Sequence, residues 1–188
     1  MREKENSKTK LIKTASLLFQ QQGYHATGLN QITKESGAPK GSLYYHFPEG
    51  KEQLAIESVQ FTAKFVSERI EDGLKKFSDP IKAIQNFIVQ MAEQFCEERC
   101  KEGVPIASVA LETALISDSL RQACQTAYGN FQYLFTEKLL DSGYEETRAK
   151  ELGVVINSMI EGAFLISFTL GNNEPLLLVA KQIPVLLQ

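Results

Sequence analysis

Two short helical segments joined by Gly37-Ala38-Pro39 constrain the fold of this chain more than any other feature. The hydrophobic periodicity predicts one helix from an N-cap at Thr27 to Ser36, and a second over Lys40–Phe47. Gly37 allows the left-handed backbone that ends the first helix, and Pro39 fits only at or before the first turn of the second. Two short helices at so tight a turn predict a helix-turn-helix unit.

The rest of the chain is also predicted to be helical, because strand-like alternation is absent and the segment ends carry helix-capping residues. One helix precedes the helix-turn-helix unit and six follow it. Their predicted bounds are Ser7–Gln22, Lys51–Phe77, Ile81–Arg99, Pro105–Leu115, Ser119–Asp141, Glu145–Leu170 and Pro175–Gln188. We therefore expect an all-α fold.

Charge is distributed unevenly along the chain. The 188 residues include 20 Lys and Arg and 23 Asp and Glu, for a net charge of −3. Residues 1–47 hold seven bases and three acids, a net charge of +4, whereas residues 48–188 hold thirteen bases and twenty acids, a net charge of −7. A basic N-terminal segment on an acidic remainder indicates that a nucleic-acid partner would bind the N-terminal segment.

The composition argues against secretion and against a membrane protein. The first ten residues are polar and charged, and three cysteines do not make a disulfide framework, so we expect a cytoplasmic protein. The stretch 152–170 carries Glu161 as its only charge, but basic or aromatic residues do not flank both of its ends. The simpler interpretation is a helix buried on most sides, by the core on one face and by another subunit on the other.

An enzyme active site is not expected. Both histidines, His25 and His46, precede residue 48, so the remainder lacks a Ser-His or Cys-His pair. Cys96 and Cys100 would share a helix face, but with only glutamates around them they do not predict a metal site, and we expect no metal and no cofactor. Buried thiols and a redox sensor both remain open for this pair, while Cys124 is expected in the core.

Two acidic residues stand within apolar helices. Glu112 and Glu161 are the carboxylates expected to be buried, and each could pair with a ligand or with a structural partner.

The helix-turn-helix region resembles the N-terminal signature of the TetR family of bacterial transcriptional repressors. The resemblance rests on Gly23-Tyr24, Thr27, Ile32, the run Ser36–Phe47 and Lys51-Glu52-Gln53-Leu54. Most members have two residues between the last aromatic residue and the Lys-Glu pair, whereas Pro48-Glu49-Gly50 makes three here. With Gly103-Val104-Pro105-Ile106 and the run Ile156–Gly162, this insertion resembles the LmrA/YxaF-like branch.

The resemblance implies two domains and a set of DNA contacts. Residues 1–50 would form the helix-turn-helix DNA-binding domain, and residues 51–188 a helical ligand-binding and dimerisation domain. The residues implied at the DNA are Thr27, Lys40, Gly41, Ser42, Tyr44, Tyr45, His46 and Lys51. Lys40, Gly41 and Ser42 would read base edges, the others would hold phosphates or sugars, and Tyr44 could also be partly core. Lys8 and Lys10 are expected as loose phosphate contacts.

The resemblance also implies a ligand pocket and a dimer. The expected lining residues are Phe65, Phe87, Met91, Phe95, Phe131, Phe135, Asn157 and Glu161. The last two helices would form the dimer interface, through Val155, Met159, Gly162, Ala163, Ile166 and Leu176-Leu177-Leu178. We expect a repressor of a palindromic operator that is released by a small hydrophobic or aromatic inducer and controls multidrug-efflux or related genes. The alternatives are an activator, a ligand-independent regulator, or a small helical carrier or enzyme without DNA binding.

Overall fold

The computed structural model describes residues 6–97 and 105–188, without the side chains of Cys96 and Glu97. Within these ranges the chain forms nine α-helices and no strand, which confirms the all-α class. The helices are α1 (Ser7–Ala26), α2 (Leu29–Ser36), α3 (Lys40–His46), α4 (Lys51–Leu74), α5 (Pro80–Glu97), α6 (Ala107–Thr113), α7 (Asp118–Asp141), α8 (Glu146–Leu170) and α9 (Glu174–Leu186). The Cys100 thiol and the predicted loop at 101–104 lie outside the described residues.

The helices begin and end where capping chemistry places them. The Asp79 carboxylate accepts a hydrogen bond from the backbone N–H of Lys82 at 2.9 Å, and the Ser117 hydroxyl accepts one from that of Leu120 at 3.1 Å. Glycines with positive φ follow the last turns of three helices, at Gly37 (64°), Gly143 (89°) and Gly171 (69°).

Thr27 is not the N-cap of α2, so that prediction is wrong. Gly28 occupies the N-cap position and Thr27 is the C-cap of α1. The Thr27 hydroxyl donates to the Gly23 carbonyl at 2.7 Å, and its side chain is fully buried. Gly23 interrupts the helical backbone of α1 with φ 83° and ψ 173°, where the sequence predicts the helix to end.

The described residues divide into two compact units. Unit 1 comprises residues 6–64 and 105–127, and unit 2 comprises residues 65–97 and 128–188. Unit 1 therefore contains the three N-terminal helices, the first part of α4, all of α6 and the first part of α7.

The core of unit 1 is built by α1, which packs against α2, α3 and α6. Apolar side chains at helical spacing on α1 are buried there, together with the inward residues of α2 and α3. The fully buried large side chains are Leu11, Phe19, Ile32, Leu43, Phe47, Leu54, Ile106 and Leu120. Because Leu43 and Phe47 are buried in this core, the opposite side of α3 remains exposed to solvent.

Unit 2 is organised around α5 and α9, which pack along each other, with α8 against α9. The Gln85 side chain donates to the Ala180 carbonyl at 3.1 Å, and that of Asn173 donates to the Ala92 carbonyl at 2.9 Å. By length and apolar composition α8 could cross a membrane, but a core helix of a soluble protein meets the same criteria. Its buried residues line the unit 2 core, as the sequence predicts for one of its faces.

Candidate nucleic-acid interface and ligand site

Helix α3 has one buried and one exposed face. Leu43 and Phe47 are buried, four residues apart on the inner side. On the other side Lys40 and Gly41 are exposed, Tyr44 is half exposed and Tyr45 is 81% exposed. Tyr44 is therefore not a core residue, and the outer face presents a lysine, two phenols and an open backbone to solvent.

Gly41 is not required by packing inside the protein. A Cβ at this position would meet nothing within 4 Å, and its φ is not positive. Glycine costs about 1 kcal/mol in a helix relative to alanine. Its presence fits a position where another molecule approaches the backbone closely.

The turn after α1 is held from two sides. The Glu112 carboxylate of α6 accepts a hydrogen bond from the backbone N–H of His25 at 2.7 Å. The Lys51 ammonium lies 4.4 Å from the centroid of the Tyr24 ring and 3.5 Å from the His25 carbonyl oxygen. Desolvation lowers the pKa of Lys51, and the Glu112 carboxylate opposes that shift. Glu112 therefore pairs with a structural partner, the first of the two partners, structural or ligand, that the sequence leaves open for it.

Two expected phosphate contacts have other roles in the structure. The side chain of Thr27 is buried and is not offered to a phosphate. The Lys8 ammonium forms an ion pair with Glu57 at 2.7 Å and lies 5.7 Å from the Phe47 ring centroid, so it ties α1 to α4. Lys10 is exposed and remains a predicted contact.

The aromatic residues expected to line a pocket mostly come together in unit 2. The rings of Phe87 on α5 and Phe135 on α7 lie 6.1 Å apart, and those of Phe95 on α5 and Phe164 on α8 lie 5.5 Å apart. Phe131 is buried on α7, and Met91 is partly buried on α5. Helices α5, α7 and α8 are thus linked by aromatic side chains.

Phe65 does not join this group. It is 52% exposed, and the Arg69 guanidinium lies 5.7 Å from its ring centroid. Phe164, in contrast, belongs to the aromatic group but is not among the lining residues predicted from the sequence. Its position three residues after Glu161 on α8 was the available signal.

Asn157 and Glu161 lie one turn apart on α8. Asn157 is 5% exposed, and Glu161 is half-buried. Desolvation raises the pKa of Glu161 to about 7, and no charged group among the described residues contributes to this shift. This carboxyl group therefore keeps its proton to a higher pH than an exposed glutamate does.

Cys124 is buried, as expected, and burial raises the pKa of its thiol to about 11. The thiol therefore stays protonated and unreactive at neutral pH. Within residues 6–97 and 105–188, no group of three His, Cys, Asp or Glu side chains is arranged to hold a metal ion. The Cys96 and Cys100 side chains lie outside the described residues.

Helices α8 and α9 carry an apolar exposed surface. It consists of Val154, Val155, Leu165, Ile166, Phe168, Leu170, Leu177, Leu178 and Val185. Val155, Ile166, Leu177 and Leu178 were predicted for a dimer interface. Ala163 and Leu176, predicted with them, are buried in the unit 2 core, so they do not belong to that surface.

Comparison with known proteins decides the family. Residues 11–57 match the family model described as bacterial regulatory proteins of the tetR family. Residues 80–182 match that of the C-terminal domain of LmrA/YxaF-like transcriptional regulators. The chain belongs to the TetR family. Its resemblance to the LmrA/YxaF-like branch is confirmed with it.

Two relatives in Bacillus subtilis cover nearly the whole chain. The HTH-type transcriptional regulator YxaF is 50% identical over 188 residues, covering 100% of this chain and 98% of its own. The HTH-type transcriptional regulator LmrA is 48% identical over 183 residues, covering 97% of each chain. A TetR transcriptional regulator from Legionella pneumophila has the same fold, with a TM-score of 0.84 at 20% identity over 97% of this chain and 98% of its own. This TetR-family chain is thus a DNA-binding transcriptional regulator, and its family is one of regulators rather than enzymes.

Proposed function

We propose that the protein is a homodimeric repressor that binds a palindromic operator through α3 and leaves it when a small aromatic ligand binds in unit 2. The observation that carries the proposal is the exposed face of α3, with Lys40, Tyr44 and Tyr45 outside and Leu43 buried behind them. A lysine near the start of such a helix can reach a guanine edge, and tyrosines bond phosphates. Gly41, Ser42, His46 and Lys51 complete the proposed contact set.

A dimer is part of the proposal for two reasons. One recognition helix contacts few base pairs, so useful specificity needs two copies on half-sites related by two-fold symmetry. The exposed apolar side chains of α8 and α9 supply a surface for that contact. In this arrangement the last two helices of both copies form a four-helix bundle.

Release of the operator on ligand binding requires a modest free-energy difference between the two states of the protein. A 100-fold loss of operator affinity needs a ligand that favours the DNA-incompetent state by about 2.7 kcal/mol. Phe87, Met91, Phe95, Phe131, Phe135, Asn157 and Glu161 are the proposed ligand contacts in unit 2. We propose that α4 carries the resulting change in the separation of the two recognition helices.

The DNA-binding part is tested by operator titration with matched variants. DNase footprinting on the region upstream of the protein's own gene first defines the operator, because such repressors often regulate themselves. Lys40→Ala and Tyr45→Ala should each lower operator affinity by at least about ten-fold, with dimerisation and ligand binding unchanged. Lys82→Ala and Tyr133→Ala are the controls, since both residues are exposed outside the helix-turn-helix. Undiminished operator binding by both α3 variants would refute the assignment of α3.

The proposed cellular location and the proposed target genes are inferred from membership of the LmrA/YxaF-like branch. We propose a cytoplasmic regulator, without membrane attachment, of multidrug-efflux or related genes. Deleting its gene should raise the transcripts of the genes next to a footprinted operator, and restoring it should lower them. Transcripts that fall on deletion would instead identify an activator.

A further inference from the structure

The Asn157–Glu161 pair lies between two contacts that α8 makes within unit 2. Four residues before Asn157, Gly153 packs so closely on α7 that a Cβ there would lie 2.2 Å from the Thr136 hydroxyl. Three residues after Glu161, Phe164 meets Phe95 of α5. Residues at this spacing share one helix face, so the pair lies on the side of α8 that turns towards α5 and α7.

Both side chains lack a hydrogen-bond partner among the described residues. The Asn157 amide is more than nine-tenths buried, and neither it nor the Glu161 carboxyl group takes part in a hydrogen bond or ion pair there. The described side-chain atoms that are fully buried without a hydrogen-bond partner are Ser58 Oγ, Asn86 Oδ1 and Ser167 Oγ, so the polar atoms of Asn157 and Glu161 retain contact with solvent-accessible space. Two unpaired polar groups on one helix face, both within reach of a small molecule, therefore indicate a place where another molecule can supply the partner.

Glu112 provides the contrast within the same chain. It too is an acid in an apolar helix, yet its carboxylate accepts the backbone N–H of His25 and so completes the fold. Glu161 has no such role in the described structure. Of the two acids that the sequence singles out, one is structural and the other is available to a ligand.

We propose that Asn157 and Glu161 anchor an aromatic ligand through a hydrogen-bond donor that the ligand carries. This proposal rests on the ligand site of the proposed function. A carboxylate accepts a donor strongly, and the aromatic rings of α5 and α7 suit an apolar ring system. A protonated amine and a hydroxyl group both supply the donor. When Glu161 is ionised, a ligand carboxylate would place a second negative charge beside it, which weakens its binding.

Four naphthalene probes that differ in one substituent test the proposal by isothermal titration calorimetry on the full-length protein. 1-Naphthylmethylamine is cationic, 1-naphthalenemethanol is a neutral donor, 1-ethylnaphthalene has no donor, and 1-naphthoate is an anion. At least one donor probe should bind about ten-fold more tightly than 1-ethylnaphthalene, and 1-naphthoate should bind most weakly. The proposal would be overturned if the donor-free or the anionic probe bound as tightly as the donor probes, or if no probe showed saturable binding.

Two substitutions of Glu161 separate the two kinds of donor. Glu161→Leu removes the acceptor and should abolish the preference for either donor. Glu161→Gln keeps an acceptor and removes the charge. It should therefore weaken binding of the amine probe by about ten-fold and binding of the hydroxyl probe by much less. Glu151→Gln and Glu151→Leu are the controls, because Glu151 is exposed on the same helix and its loss should change nothing. A donor preference that survives Glu161→Leu also refutes the proposal.

Operator titration keeps this result separate from the proposed function. If the unmodified protein binds the operator but shows no preference for donor probes, only the proposed ligand-anchoring role of Asn157 and Glu161 is refuted. Selective ligand binding by a protein that binds no operator refutes the repressor and leaves the anchor in place.

Discussion

A carboxylate occupies the space that a side chain at residue 23 would fill. A Cβ on Gly23 would lie 1.8 Å from Oε1 of Glu112, and the other carboxylate oxygen accepts the His25 N–H. With φ 83° and ψ 173°, Gly23 is also in a region of backbone space that is nearly restricted to glycine. Two independent constraints therefore fix this residue as glycine.

Gly23→Ala should be destabilising for both reasons. Backbone strain of this kind costs about 1–3 kcal/mol, and the clash with Glu112 adds to it. Urea unfolding of Gly23→Ala, Glu112→Ala and the double variant measures the two parts. The double variant should be more stable than the sum of the single effects predicts, because removing the carboxylate relieves the clash but not the strain. Strictly additive effects would contradict a clash with Glu112.

Glu161 should make stability depend on pH. Burial raises its pKa from 4.5 to about 7, so between these values the folded protein binds more protons at this site than the unfolded chain. The contribution of Glu161 to the unfolding free energy therefore falls as pH rises through this window. Glu161→Gln removes this loss, so the stability of the variant relative to the unmodified protein should rise from about pH 5 to about pH 8, by at most about 3 kcal/mol.

Urea unfolding at the two pH values measures that difference, with Glu151→Gln as the exposed control. A Glu161→Gln advantage that is the same at both pH values would contradict the raised pKa.

Single residues also mark the limit of what the sequence could predict. Thr27 and Gly28 are both acceptable N-cap residues, and only the competing hydrogen bond from the Thr27 hydroxyl to Gly23 decides between them. The apolar helix around Glu112 predicts that it is buried, which is wrong because the residue is only half-buried, and its partner lies 87 residues away in sequence. Local patterns do not specify contacts at that separation.

At the scale of helices, α7 and α8 approach each other at a glycine. The Thr136 hydroxyl lies 3.4 Å from the Ala149 carbonyl oxygen, to which it donates a hydrogen bond. A Cβ on Gly153 would lie 2.7 Å from the Gln132 carbonyl oxygen as well as close to Thr136. Because a backbone atom cannot move aside as a flexible side chain does, the two helices would have to separate.

Gly153→Ala should therefore lower stability although alanine favours helix formation. Overpacking costs about 1–3 kcal/mol, which exceeds the gain of about 1 kcal/mol in helix propensity. Gly129→Ala on α7 is the matched control, because its Cβ would meet nothing within 4 Å and the substitution should stabilise the protein. Thermal unfolding of both variants gives the comparison. A Gly153→Ala protein as stable as Gly129→Ala would contradict the close approach of α7 and α8.

Helix positions were easier to predict than helix partners. Caps and glycines gave the ends of most helices to within a few residues, since these signals are local. The sequence extended α4 to Phe77, whereas it ends at Leu74, because the apolar pattern continues past the last helical turn. The pairing of α5 with α9 left no local signal, and Phe65 shared the helical pattern of the core aromatics while lying at the surface.

At the scale of the whole molecule, the distribution of charge is more informative than its total. A net charge of −3 argues against DNA binding, whereas the division at residue 47 places +4 on the part that contains α3 and −7 on the remainder. The acidic remainder should keep non-specific DNA affinity low, so the salt dependence of operator binding should arise from the N-terminal segment. In a dimer both contributions are doubled.

The apolar surface of α8 and α9 leads to a prediction about assembly. Ile166 is exposed in a single chain, and a charge at this position should prevent burial against a second copy. Ile166→Glu should therefore be monomeric in sedimentation equilibrium at concentrations at which the unmodified protein is a dimer. Its operator affinity should fall by about 100-fold or more, because each half-site is then bound separately. Thr147→Glu, exposed on the same helix outside the apolar surface, should change neither property. A dimeric Ile166→Glu protein with full operator affinity would place the interface elsewhere.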